Sequence, residues 1–465
     1  MGVNGRGPAW AQAAKRQARN KSSLALFAAT FLALVVWGCS NQRVWTSRPP
    51  DSWTAAYVSK VESCLSTEQQ QQQQQSNGGS GLLTPPVSQL IQLWERSGSS
   101  GEEPLDVGKL TFAGVCRTCS APVVPELTVR RIWLSTKPRN ATDVSLVTQL
   151  SVDRLRMLEG QCSNWGSVIS AAVHIPLMKG RVVSEVDDLY GQDVEKPLEM
   201  ISEFHDRMER EGRCTLDIVF ATSTVTSVAE ADLYPVNAMR NKALQLSQTE
   251  IVLLLDADLL PSRPLSDFIT KPAHYHQLRR DTARRQVYVL PAFATKHYGH
   301  EARDNAFAAS RSRHVLKNMY KRGQLRGFHV HHFFVGQGIV DFPRWFKTND
   351  SYPIAYQEGF EPYVLMQRRF VPWYDERFKG YNRNKVVHFL HMHSLGLEFN
   401  SCPHGYAVHV PHPEGKTRSA TVLTGTWDEL LRMYDDSREE MVACTFVPAT
   451  SFACESSEPE LLPQD

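Results

Sequence analysis

The chain has 465 residues, 42% hydrophobic and 22% charged, ordinary for a globular protein with room for one large or two smaller catalytic domains. A formal net charge of +2 excludes the strong basic excess of a nucleic-acid-binding surface. Sixteen histidines add little charge at pH 7 but invite a search for metal ligands.

In chain order, the first feature is the uncharged run Leu24–Gly38, LALFAATFLALVVWG. With its neighbours it reaches about the lower length limit of a spanning helix. Arg6, Lys15, Arg16, Arg19 and Lys21 precede it, and no acidic residue occurs before Asp51. That asymmetry predicts a cytoplasmic tail over 1–21, a signal anchor over 22–39 and a lumenal body. A cleaved signal peptide is the competing reading, against which stand the long basic leader and the lack of a small-x-small site after Trp37. The stretch 40–124 holds seven consecutive glutamines, Gln69–Gln75, and clusters of Gly, Ser and Pro. It is too polar to bury a core and reads as a stem.

A lumenal body permits disulfides. Eight cysteines follow Cys39: Cys64, Cys116, Cys119, Cys162, Cys214, Cys402, Cys444 and Cys454. The even count is compatible with bridges, whose pairing spacing does not reveal. Cys116 and Cys119 form one CxxC without the second pair that a zinc site needs. Asn140-Ala-Thr142 and Asn349-Asp-Ser351 are glycosylation acceptors in that compartment.

The body is expected over 125–450, followed by a tail over 451–465. Strands are predicted at Arg131–Ser135, Val144–Gln149, Val168–His174 and Leu216–Ala221, with helices after Gln149, over Glu199–Arg210, and from Pro235. The last helix leads into Ile251–Ser262, IVLLLDADLLPS. Alternating strands and helices predict an α/β fold with a mostly parallel central sheet. The aliphatic run Ile251–Leu255 suits a strand covered on both faces. Ligands of such sheets collect at the carboxyl ends of strands, where Asp256 and Asp258 stand.

Residues i and i+2 of an extended chain face the same way, so the two carboxylates repel unless a cation compensates them. A hard divalent ion, Mn²⁺ or Mg²⁺, sharing its shell with phosphate oxygens meets that need; Leu259 to Pro261 are then expected to turn the chain away. Two rivals exist. A haloacid-dehalogenase-type phosphohydrolase also ends an apolar strand in Asp-x-Asp, but a small hydroxyl residue usually follows, and here Leu259 and Leu260 stand instead. Two aspartates capping a turn are the plain structural alternative. About 150 residues downstream, His409 or His412 in GYAVHVPH offers an imidazole to complete a metal shell. The groups His329, His331, His332 and His388, His391, His393 are expected to be polar or packed faces.

Several stretches together resemble glycosyltransferase family 49, which includes the dystroglycan β-1,4-glucuronyltransferase and the second catalytic domain of LARGE-type transferases. They are LVTQLSVDRL (146–155), YPVNAMRNKAL (234–244), VLLLDADLLPS (252–262), VLPAF (289–293), GFEPYVLMQR (359–368), YDERFKGY (374–381) and YAVHVPH (406–412), in the family's order over about 300 residues. The resemblance implies a GT-A type fold, a UDP-sugar donor, Mn²⁺, a glycan or glycoprotein acceptor and inverting transfer, and an anchored body of this kind fits the Golgi membrane. It implies Asp256, Asp258 and His409 as metal ligands. Thr148, Gln149 and Arg154 would contact the nucleotide, and Asn237, Arg240 and Asn241 would approach ribose or diphosphate. Glu361 is the first candidate for the catalytic base and Asp375 the second. The chain departs from the family's pattern at Ala294 and Thr295, at Tyr381–Lys385 and at HFLHMH (388–393). A member that keeps the fold but only binds glycan or a partner is the alternative to an enzyme.

Overall fold

The computed structural model describes residues 126–179, 194–296, 299–413 and 415–451. The expected cytoplasmic tail, anchor and stem, Cys64, Cys116 and Cys119, and the C-terminal tail beyond Ser451 lie outside the described residues. Among the described residues no helix is long and apolar enough to cross a membrane.

The N-terminal half runs β1 (Thr128–Trp133), β2 (Val144–Ser151), α1 (Leu155–Asn164), β3 (Val168–Met178), α2 (Glu195–Arg210), β4 (Thr215–Val225), α3 (Val236–Leu246) and β5 (Ile251–Leu254). The strand β5 is a continuous aliphatic run buried throughout, as a strand covered on both faces must be. A short strand β6 (Leu259–Pro261) follows, then β7 (Gln286–Leu290), β8 (Ala292–Thr295), β9 (Leu325–Gly327), β10 (Tyr363–Gln367), α4 (Asn384–Ser394), β11 (Glu398–Ser401), β12 (Ala407–His409) and α5 (Thr426–Val442).

Eight strands form the main sheet in the order β1-β4-β3-β2-β5-β10-β7-β11. The block β4-β3-β2-β5 is parallel throughout, as the alternating pattern predicts. The whole sheet is mixed, because β10 runs antiparallel between β5 and β7 and β1 antiparallel beside β4. Alternation along β5 divides the core: Leu253 packs with Leu146 and Leu365 on one face, and Val252 and Leu254 with Val364 and Met366 on the other.

The smaller sheet has the order β6-β12-β8-β9. Leu259–Pro261 therefore do more than turn the chain away from the aspartates. They pair with β12 in the register His409 opposite Leu259, and Val410 N donates to Asp258 O at 2.8 Å. Pro261, which lacks an N–H, is tolerated at the end of so short a strand.

Cys162 on α1 and Cys214 before β4 are disulfide-bonded, and Cys444 is also in a disulfide. Cys402 is a free, buried thiol. Asn140 and Asn349 lie on exposed turns.

Candidate active site

Asp256 and Asp258 follow β5 at its carboxyl end, and the structure gives them different neighbours. Asp258 Oδ2 lies 3.1 Å from His412 Nε2 and 3.5 Å from His409 Nε2. Both imidazoles arrive through the β6–β12 ladder, which carries a segment 151 residues away in sequence to the strand tip. One ligand atom from each of Asp258, His409 and His412 lies within 4.8 Å of the others. Asp258 Oδ1 is buried and has no hydrogen-bond partner, an arrangement that is costly unless something else compensates the oxygen. One carboxylate and two imidazoles with an orphaned oxygen fit a divalent cation such as Mn²⁺ better than Mg²⁺, which prefers an all-oxygen shell.

Asp256 is held differently. Arg240 Nη2 donates to its Oδ1 at 2.9 Å, while Lys385 Nζ at 2.9 Å and the Tyr363 hydroxyl at 3.2 Å donate to Oδ2. Burial alone would raise the Asp256 carboxyl, but Lys385 and Arg240 bring it down to about 2. Burial opposes ionisation of Asp258 too, and the hydrogen bonds from His409 and His412 still hold it well below the usual range. The Asp258 hydrogen bond raises His412 above the ordinary imidazole value, against the opposing effect of burial.

Arg240, Lys385 and Asp256 share a pocket with Thr148 and Gln149 at the end of β2 and with Tyr363. The Thr148 hydroxyl is buried and without a partner. Arg154 lies on the His412 side: its Nη2 is close to Gly415 and its charge acts on His412. Asn237, Arg240 and Asn241 occupy one face of α3, the i, i+3, i+4 pattern, but only Arg240 reaches the pocket. Asn237 Nδ2 donates to the carbonyls of Asp375 and Asn384. Asn241 exchanges hydrogen bonds with the backbone of Tyr374 and accepts no solvent contact. Both asparagines are fully buried and fasten α3 to the 374–384 segment, so the structure does not bring them to the cleft.

The two candidate bases also separate. Asp375 is buried and bound by Arg377 through Nε and Nη2, which leaves its carboxylate satisfied inside the fold. Glu361 precedes β10 and is half-buried, with Lys385, Arg240 and Asp256 as electrostatic neighbours. Burial raises its carboxyl above the usual range, partly offset by Lys385 and Arg240. His329 is a further residue near the site. It adopts φ 54°, stacks on Phe328 at 4.1 Å, and burial lowers its imidazole to about 4.

Sequence reasoning passed over Lys385 and Tyr363 as site residues and left His412 as an alternative to His409. Tyr363 follows Glu361 within a family-like block, and Lys385 ends the stretch Tyr381–Lys385 that departs from the family's pattern, so the segments were visible where the roles were not.

The described fold and site are those of a mixed α/β protein with a carboxylate–imidazole cluster beside a cation-lined pocket at the tip of a central strand. The chain belongs to the family described as glycosyl-transferase for dystroglycan, whose model matches residues 143–421. It is 30% identical over 292 residues to mouse xylosyl- and glucuronyltransferase LARGE2, a match covering 62% of this chain and 38% of that protein. It is 32% identical over 274 residues to chicken xylosyl- and glucuronyltransferase LARGE2s, covering 59% of this chain and 32% of that one. The chain thus spans well under half the length of these relatives. The solved structure of S. aureus TarS 1-349 is similar over 65% of this chain and 70% of its own, at 10% identity and a TM-score of 0.31.

Proposed function

We propose that the chain is a GT-A type glycosyltransferase that moves a sugar from a UDP-sugar to a glycan acceptor with inversion. Glucuronic acid or xylose is the sugar suggested by the names of its relatives. The observation that carries this reading is the Asp258–His409–His412 cluster with its orphaned Oδ1, next to a pocket lined by Arg240 and Lys385.

Asp258, His409 and His412 would hold Mn²⁺, and when bound the ion supplies positive charge to the diphosphate leaving group. The protein's own residues do the rest. Arg240 and Lys385 bring positive charge to the pocket, in a cleft where water screens it poorly. Thr148 and Gln149, at the end of β2, offer hydrogen-bonding groups to the nucleotide. Arg154 adds a guanidinium on the His412 side. Glu361 would take the proton from the attacking acceptor hydroxyl. A carboxyl raised by burial is a stronger base than an ordinary one and is suited to that role at neutral pH.

The opposite displacements of Glu361 and the two aspartates divide the labour in a recognisable way: one carboxyl exchanges a proton while two stay ionised. The phosphohydrolase alternative requires Asp256 as a free nucleophile. Two cations and a phenol occupy its oxygens instead.

Two features support a lumenal, Golgi setting for the body: the Cys162–Cys214 disulfide and the exposed sequons, which join the anchor expected from sequence. The test is donor hydrolysis or transfer by the purified protein across a panel of UDP-sugars. Activity is expected only with Mn²⁺ present, and equal turnover in excess chelator overturns the reading.

A further inference from the structure

The carboxylate of Asp256, the first acid of the pair, takes its hydrogen bonds from two cations and a phenol and none from His409 or His412. On one carboxylate converge Arg240, which is 8% exposed, and Lys385, whose side chain is 14% exposed. Two positive charges against one negative leave an excess of one in a poorly hydrated cleft, which is unfavourable without a further anion. The other acids nearby do not supply it. Asp258 faces two imidazoles, and the ion pairs of Arg240 and Lys385 are both made to Asp256 rather than to Glu361.

The two cations are held unequally. Arg240 is fixed from behind, its Nη1 donating to Asn237 Oδ1 and Asn384 Oδ1, each at 2.9 Å. Lys385 is a flexible four-carbon arm with three donors. Two of these bonds go to Asp256 and to the Tyr363 hydroxyl, at 2.9 and 3.1 Å. The Tyr363 ring lies 4.4 Å from Nζ, within cation–π reach of the ammonium. Lys385 is presented by two consecutive non-glycine residues of positive φ, Asn382 at 114° and Arg383 at 58°. Backbone strain of that kind persists where the surroundings demand a particular placement.

We propose that Lys385 is a donor-binding residue. It is docked on Asp256 until an anionic oxygen of the nucleotide sugar displaces it, and Asp256 acts as the counter-ion that positions Lys385 and Arg240. The inference rests on the UDP-sugar reading above. The shared ligand chemistry is an oxyanion, either of the diphosphate or of a carboxylate on the sugar.

The experiment measures binding of UDP, UDP-glucose and UDP-glucuronate to the full chain and to Lys385→Met, by calorimetry with Mn²⁺ present. The melting shift produced by Mn²⁺ alone serves as the control for an intact cluster. Loss of one charged hydrogen bond is expected to weaken binding roughly tenfold or more, with the Mn²⁺ shift unchanged. An equal loss for all three ligands assigns Lys385 to the diphosphate, and a loss confined to UDP-glucuronate assigns it to the sugar carboxylate. Lys385→Arg, which keeps the charge, is expected to recover much of the affinity. Lys385→Gln, which can still donate to Asp256, carries the same test should the methionine variant not fold. Binding of all three ligands within about twofold of the parent overturns the inference alone. A parent that binds no nucleotide sugar overturns the proposed function with it.

Discussion

Two histidine-rich segments, HFLHMH on α4 and YAVHVPH around β12, look alike in sequence and behave oppositely in the fold. On α4, His388 and His391 are core side chains and His393 is half-buried. His388 stacks on Tyr374 at 3.6 Å, His391 packs edge-on to Phe446 at 4.8 Å, and His393 stacks on Tyr356 at 4.3 Å. Burial drives their basicity down, with His391 lowered to about 4 and His388 held well below the ordinary imidazole value. Around β12, His409 and His412 meet the Asp258 carboxylate, and His412 is raised. The lesson is that burial without a carboxylate makes an imidazole an aromatic core residue, and an adjacent carboxylate makes it part of a polar cluster.

The sharpest way to break this comparison is Asp258→Ala. At Mn²⁺ a hundredfold above its dissociation constant the parent is expected to gain about 2.7 kcal/mol of stability. The variant should gain none, and its turnover should fall to background; a retained Mn²⁺ melting shift would place the metal elsewhere. Next comes acidification. His174, lowered to about 3 by burial, joins His388 and His391 as a neutral buried imidazole. Their folded values are depressed, so the unfolded chain binds more protons below pH 6.5 and stability falls as the pH drops through that value. From pH 7.5 to 5.5 the three together are expected to cost about 4 kcal/mol, read as a lower urea midpoint. A smaller effect, about 3 kcal/mol, is expected for His388→Ala, which removes the ring beneath Tyr374 while leaving the Mn²⁺ shift intact. If His388→Ala abolished that shift, α4 would belong to the metal site and the comparison would fail.

How much of this was legible follows from what sequence encodes locally. The strands β2 to β5 and their helices could be read because each carries its own apolar period, and Asp256 and Asp258 because they end the most apolar strand. Strand β6 was not readable. Three residues ending in proline look like a stop, and only pairing with β12 makes them a strand. The same ladder decides that His409 and His412 both reach Asp258. The helix α3 and its polar face were apparent from the spacing of Asn237, Arg240 and Asn241, but the direction of that face is set by tertiary packing. The partners of Asp256 come from 16, 107 and 129 residues away, beyond any local pattern.

The finest distinction concerns protons at the cluster itself. His412 has a folded value raised above that of the unfolded chain. In the metal-free protein its pairing with Asp258 therefore contributes stability that is fully present below pH 6.5 and is lost as the pH rises through the raised value. Asp258 is depressed, so its own contribution is lost only on acidification below the carboxylate range, outside this window. A metal ligand must give up its proton. Mn²⁺ affinity is thus expected to rise by up to about tenfold per pH unit from acid pH to the His412 value and to level off above it. His412→Gln should bind more weakly with a shallower profile, measured by Mn²⁺ titration between pH 6 and 8. A parent profile as shallow as the variant's would remove His412 from the ligand set and leave Asp258 and His409 to hold the ion.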